Sequence, residues 1–454
     1  MEKSQNFYTN MFKIAVPIAA QSLIMSVLYL TDQIMVGQLG DAAVASVGIA
    51  SKIYAIIAVV LAGLSTAVSI FTAQFWGNKD TKSITELLGL GLLVGCLLSI
   101  LFSLIVFFNP RLLLAVFTKD ATLIEEGYRF IKIVAISYVP TMLTMIYSAI
   151  LRSTGHVKAP MYVSLFVVVI HIGINYVLIF GHYGFPRLGL EGSAYATVIA
   201  RMIECILIIG IVYRYKLPGA VGLQRLFTFS KPMARLFTIT AYPIVLTELI
   251  WVLGEAAYAV IYSRMGTVEM TAMTATFPLQ GLSIGLLSGL AGAAGVMIGH
   301  RLGAGEREEA FQFARRFIWM GFIISLLSGA LIAIIAPYYM SIYHISDSAS
   351  RLGILIIWVF AALLWVKVSN MIIAGGILQS GGDSKFVFVM ESSAAWLIGV
   401  PLGLLLSFYF KQSLILVYLF LSLEEVVRFL WGLKRFKSRK WMHVLVLSSD
   451  KQGT

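Results

Sequence analysis

Three acids stand where an apolar chain has no ordinary use for them. Asp32 lies in "YLTDQIMVG" (29–37), inside an apolar run that begins at Met11, and Glu248 and Glu255 lie in a second such run beyond Pro243. A carboxylate at the centre of a membrane helix costs about 2.5–3.5 kcal/mol, so such residues face a bundle interior or a wet cavity and mark function. Taken out of water, the group is relieved of its charge by a proton or by a cation drawn to nearby oxygens. Either makes a site that can be loaded and emptied. Asp32 precedes Gly40, at the end of its run, by eight residues, a depth of about 12 Å, and Glu255 precedes Gly266 by eleven, about 16 Å. Glu248, seven residues before Glu255, falls on nearly the same helical face.

The neighbours of these acids suit a cationic, partly apolar guest. Tyr29, Trp251 and Tyr258 lie within a turn of them, and aromatic faces attract organic cations. Met25, Met35 and Met270 add an adaptable surface. Other polar residues in apolar runs read as structural. Arg201 and Glu204 have the spacing of an internal ion pair, and His171 is expected to be a hydrogen-bonded helix residue. Lys367 has no local partner. Glu424, Glu425 and Arg428 lie toward the end of the last run and are expected at the membrane interface.

The elements that must position these groups follow from composition. Of 454 residues, 59% are hydrophobic and 12% charged, against about 25% charged in an ordinary soluble domain. Twelve apolar stretches, from 11–36 to 414–433, approach or exceed the roughly 20 residues needed to cross a bilayer core. The first is too long for a signal-peptide core and is read as a transmembrane helix. Cys96 and Cys205 both fall inside such stretches, which leaves no disulfide framework and no CxxC metal or redox site.

The net charge of +12 is a topology signal rather than a nucleic-acid footprint. Lys79, Lys82, Arg152, Lys158, the 214–235 connector, Arg301 to Arg316 and Lys434 to Lys440 fall on one side of the alternating runs. The other side holds fewer, among them Arg111, Lys119, Arg187, Arg264 and Lys411. The positive-inside rule therefore predicts cytoplasmic termini.

The chain also repeats. "TAVSIFTAQFWGNKD" (66–80) lies 226 positions before "GAAGVMIGHRLGAGE" (292–306), so that Gln74 matches His300 and Gly77 matches Gly303. Pro17 and Pro243, Gly40 and Gly266, and Gly63-Leu64 and Gly289-Leu290 keep the same offset. The fold class is thus all-α integral membrane: twelve transmembrane helices in two six-helix lobes. An even number of helices per copy relates the lobes by a pseudo-two-fold along the membrane normal. The expected divisions are an N-terminal lobe (1–216), a connector (217–236), a C-terminal lobe (237–436) and a basic cytoplasmic tail (437–454). Two lobes of this kind could simply stabilise one another, or enclose a cavity whose access alternates.

Several motifs resemble the multidrug and toxic compound extrusion (MATE) family. They are "DQIMVGQLGDAAVASVG", "AQFWGNKD", "LRSTGHVKAPM", "NYVLIFGHYGFPRLGLEGSAYAT", "GHRLGAGEREEA" and "LQSGGDSKF", in order along the chain. The resemblance implies a monomeric exporter in the plasma (inner) membrane that exchanges Na+ or H+ for small organic cations or amphipathic drugs. It places Asp32 at the family's helix 1 acid, which is protonated or binds cation, and Asn175 at its helix 5 asparagine. Glu248 and Glu255 flank Trp251, which falls where the sodium-linked branch has a helix 7 glutamate. Asn370 stands where that branch has an aspartate. Cation-coupling residues are then Asp32, Asn175, Glu255 and Glu248, and substrate-binding residues Tyr29, Trp251, Tyr258, Gln280, Asn370 and Glu391. No cofactor and no metal beyond a possible Na+ at Asp32 is implied. Many relatives carry an acid just after the asparagine, and "NYVLIFG" has none, which leaves the ion open.

Two other classes compete. A flippase for a lipid-linked cell-envelope precursor would hold a pyrophosphate with cations, for which Arg201 and Lys367 are the candidates. An integral membrane enzyme acting on lipid would need a catalytic constellation such as HExxH, DDxxD or Ser-His-Asp, and none is present.

Overall fold

The computed structural model describes residues 2–343 and 345–445, so the end of the expected tail, 446–454, lies outside the described residues. All twelve expected runs are helices: α1 (Glu2–Gly37), α2 (Asp41–Gly77), α3 (Thr81–Phe108), α4 (Ala121–Ser153), α5 (Lys158–Phe180), α6 (Leu190–Arg214), α7 (Lys231–Met265), α8 (Thr267–Gly303), α9 (Arg307–Ser341), α10 (Asp347–Leu378), α11 (Ser384–Tyr409) and α12 (Leu414–Lys437). Among the described residues, the eleven helices α1 to α11 are long and apolar enough to cross a membrane by length and composition. The twelfth run interrupts its apolar character with Glu424, Glu425 and Arg428.

Local chemistry sets the ends and breaks of these helices. Asp80 caps α3, its carboxylate accepting from the Ser83 N–H at 3.0 Å and the Ser83 hydroxyl at 2.6 Å. Asp120 caps α4 in the same way at 2.8 Å. Such caps satisfy N–H groups that the first turn leaves over. Pro17, Pro243, Pro278 and Pro337 sit inside helices. Wide π-helical turns occupy Met371–Leu378 in α10, and Ala394–Gly399 and Leu405–Tyr409 in α11; turns of this kind concentrate at functional sites.

Contacts divide the chain into two compact units. One comprises the described residues of Met1–Ala19, Ala73–Asn78 and Tyr242–Thr454, the other Ala20–Thr72 and Lys79–Ala241. In the second unit small residues let helices approach, as expected where apolar lipid offers no drive for association. Gly91 of α3 lies against Val68 and Ile146, Gly95 against Met142 and Leu64, and the hydroxyls of Ser69 and Ser153 meet at 2.6 Å.

In the first unit the repeat appears as a reciprocal crossing. A Cβ on Gly77 would lie 2.1 Å from the carbonyl oxygen of His300, and one on Gly303 would lie 1.8 Å from that of Gln74. A Cβ on Gly299 would lie 2.6 Å from that of Ala73, its own repeat partner. The ends of α2 and α8 therefore pass each other backbone to backbone, each glycine opposite the residue equivalent to its own neighbour. The same place anchors the start of the tail. Gln74, fully buried, donates to the carbonyls of Ser380 (2.7 Å) and His443 (3.2 Å) and accepts from the Leu445 N–H (2.7 Å). Trp441 is also fully buried and donates to the Phe436 carbonyl.

Gly77→Val and Gly303→Val are expected to lower the thermal midpoint of detergent-purified protein by several degrees, because each side chain must displace backbone. Gly173→Ala, in open space within α5, is expected to leave the midpoint unchanged or raise it slightly, since alanine favours helix by about 1 kcal/mol.

Candidate functional site

Asp32 opens onto a chamber of about 320 Å³ within the second unit. Its side chain is 29% exposed. The Asn175 amide donates to Asp32 Oδ1 at 2.8 Å, which brings together the two residues expected on α1 and α5. Asn175 itself is fully buried, and its own Oδ1 has no hydrogen-bond partner among the described residues. The i, i+3 pair on α6 forms as expected, with Arg201 and Glu204 at 2.8 Å. A relay of hydroxyl and amide extends it: Gln21 donates to Ser164 at 3.0 Å, and Ser164 to Glu204 at 3.2 Å.

The electrostatic outcome is simple. Arg201 and Glu204 pair with one another, so among the described residues lining this chamber Asp32 is the acid left without a cation of its own in direct contact. Tyr29 lines the same space and is 61% exposed. His171 departs from expectation. It is 3% exposed, one turn before Asn175 on α5, and its Nε2 has no hydrogen-bond partner among the described residues. That nitrogen lies 3.9 Å from Asp32 Oδ1, beyond hydrogen-bond range. The four-residue spacing to Asn175 was the sequence signal for it.

The remaining candidates line a different chamber, of about 620 Å³, within the first unit: Glu248, Trp251, Glu255, Tyr258, Gln280, Asn370 and Glu391. Of the six expected substrate-binding residues, Tyr29 lines the chamber of the second unit and the other five line this one. Several members of this set are engaged in holding the protein. Asn370 donates to the carbonyl and side chain of Glu425 at 2.8 and 2.7 Å. Tyr258 donates to Glu424. Gln280 accepts from the Tyr418 hydroxyl at 3.1 Å and donates to Thr276 at 3.0 Å.

Here the expectation for α12 is overturned. Glu424, Glu425 and Arg428 are not interfacial; they line the chamber, and Glu424 is 7% exposed. Arg428 pairs with Glu391 at 2.7 Å and with Glu425 at 3.4 Å. Lys367, which has no partner on its own helix, meets Glu425 at 3.2 Å. The physical reason is that a buried lysine needs an acid from another helix, and α12 supplies it. Tyr418, Leu421, Glu425 and Arg428 all line the chamber, and this helical spacing about the middle of α12 was the signal that reading these charges as helix-end residues passed over.

Five glutamates thus face two cations, and the cations are taken. Glu248 and Glu255, on one face of α7, have no hydrogen bond or ion pair among the described residues. They stand beside Trp251, which is 52% exposed, and Phe277, which is 40% exposed. The arrangement can attract a cation to two unpaired carboxylates flanked by aromatic surface.

The family model described as MatE matches residues 17–177 and 243–405, and the chain belongs to that family. The chain is 25% identical over 434 residues to an uncharacterized transporter of Bacillus subtilis, YisQ, with 95% of each chain covered. It is 26% identical over 403 residues to NorM of Halalkalibacterium halodurans, described as a probable multidrug resistance protein, covering 87% of this chain and 86% of that one. A solved structure of the Vibrio cholerae MATE transporter VcmN superposes with a TM-score of 0.88 at 18% identity, covering 97% and 100%. The protein is a multi-pass membrane transporter with the twelve-helix, two-lobe fold of that family.

Arg428→Met is expected to destabilise the protein by about 3–5 kcal/mol, the range for removing one partner of a buried pair, because Glu391 loses its cation and Glu425 is left with Lys367 alone. Thermal unfolding in detergent should show the loss, and the double variant Arg428→Met with Glu391→Gln should recover part of it.

Proposed function

We propose that this chain is a proton-driven exporter of small organic cations and amphipathic drugs, working by alternating access in the plasma membrane with both termini cytoplasmic. The observation that carries the reading is the carboxylate of Asp32, held by Asn175 at 2.8 Å with no cation of its own in direct contact among the described residues, while Glu204 in the same chamber pairs with Arg201. A site with one net negative charge is neutralised by one proton, so loading and unloading it alters the local charge by a full unit. Coupling of this kind needs only a few kcal/mol between the linked events. The names of the curated relatives support drugs as cargo.

The donor set around Asp32 supports H+ rather than Na+. A hard cation gathers several oxygen ligands. Asp32 offers a carboxylate and Asn175 one unengaged amide oxygen, but the group 3.9 Å from that carboxylate is the imidazole nitrogen of His171, and no second acid follows Asn175 on α5. Glu248 and Glu255, unpaired beside Trp251, are the carboxylates that would receive the cationic cargo. Lys367 and Arg428 are both engaged by acids, which weighs against a pyrophosphate-holding flippase.

Purified protein in proteoliposomes should move ethidium under an imposed pH gradient and fail to do so under a sodium gradient at constant pH. Asp32→Asn should abolish that movement, and undiminished transport by this variant would remove the acid from the mechanism. Glu255→Gln and Glu248→Gln are each expected to weaken the apparent affinity for ethidium roughly tenfold, the loss of about 1.4 kcal/mol; unchanged affinity in both would place the cargo elsewhere.

A further inference from the structure

A proton arriving at Asp32 needs more than a carboxylate to receive it. Once protonated, the group carries an O–H that must find an acceptor, because a buried donor without one is costly. Asn175 touches Asp32 through its amide nitrogen, which only donates; its own Oδ1, without a partner among the described residues, is a competing acceptor. The amide nitrogen's contact at 2.8 Å favours the charged carboxylate. Glu204 already accepts from Arg201 and Ser164. His171 Nε2 is buried, faces Asp32 at 3.9 Å, and is without a hydrogen-bond partner among the described residues.

We propose that His171 is the positioning residue for the coupling proton, accepting a hydrogen bond at Nε2 from protonated Asp32; this rests on reading Asp32 as the proton site. One O–H bond forms on Asp32, its proton coming from water in the chamber. The imidazole stays neutral, with its own hydrogen on Nδ1, and takes no proton. Closing the gap from 3.9 Å to a hydrogen bond needs a movement of roughly 1 Å. Asp32 then has two holding places on α5: Asn175 when charged and His171, one turn earlier, when neutral. The exchange between them gives protonation a mechanical consequence, a displacement of the Asp32 side chain on α1 along α5.

Few other groups compete. The titratable or charged residues facing the pair are Tyr29 on α1, Tyr54 on α2, and Arg201 and Glu204 on α6. From α4 the chamber is lined by Phe130, Ile131 and Val134, none of which titrates.

The test is the pH profile of ethidium transport in proteoliposomes for the wild type, His171→Leu, His171→Asn, His171→Gln and Asp32→Asn. Leucine cannot accept and asparagine is too short to reach Asp32, so both variants should require more acid, with the profile midpoint displaced by about one pH unit, as expected for one lost hydrogen bond. Glutamine offers an acceptor at similar reach and should keep the wild-type midpoint. If leucine prevents folding, the asparagine variant carries the same comparison. Wild-type midpoints in both the leucine and asparagine variants, or a glutamine midpoint displaced as far as theirs, would overturn the role of His171. Transport retained by Asp32→Asn would instead overturn the reading of Asp32 as the proton site.

Discussion

A charge withdrawn from water inside a helix bundle persists only where another group answers it, and the polar interior of this protein is organised by that constraint. Arg201 is answered by Glu204, Lys367 by Glu425, and Arg428 by Glu391 and Glu425. The groups left over are informative for the same reason. Asp32 has an amide rather than a cation beside it, and Glu248 and Glu255 have neither. A transporter must retain some unanswered charge, since a fully satisfied interior would have no reason to bind an ion or a cationic guest.

The two chambers differ in how they use this. Around Asp32 one acid is poised between an amide donor and an imidazole acceptor, an arrangement suited to a single small ion. The chamber lined by α7 and α12 is larger, about 620 Å³ against 320 Å³, and its lining combines paired charges with two carboxylates unpaired among the described residues and an exposed tryptophan. Asn370, Tyr258 and Glu391, expected to touch cargo, line this chamber and also make contacts between helices. The π-helical turns Met371–Leu378 and Ala394–Gly399 contribute Met371, Gly375 and Ala395 to its lining, and Gly399 sits against both Tyr258 and Glu424.

Scaffold and site were legible to different depths. The helix positions followed from apolar length, and the repeat from matched glycines, because both are properties of the chain taken in order. The pairing of Asp32 with Asn175 was reached through resemblance and corresponds to a 2.8 Å contact. The misreading of Glu424, Glu425 and Arg428 has a plain cause. Charges toward the end of a hydrophobic run usually reach the interface, but Glu424 and Glu425 stand at the middle of α12, and Tyr258, Lys367 and Glu391 on other helices hold Glu424, Glu425 and Arg428 inward.

By itself the sequence determined the membrane class, the twelve helices, the duplication and the presence of acids that need a reason to be there. Tertiary structure alone decided which acids are answered, which chamber each faces, that Gln74 clasps the start of the tail, and that His171 stands unpartnered beside Asp32. The physical reason is range. Apolar periodicity and insertion cost act along one helix and can be read residue by residue. Beyond i, i+3 pairs such as Arg201 with Glu204, charge compensation acts across helices, at distances of about 3 Å that no spacing in the sequence encodes.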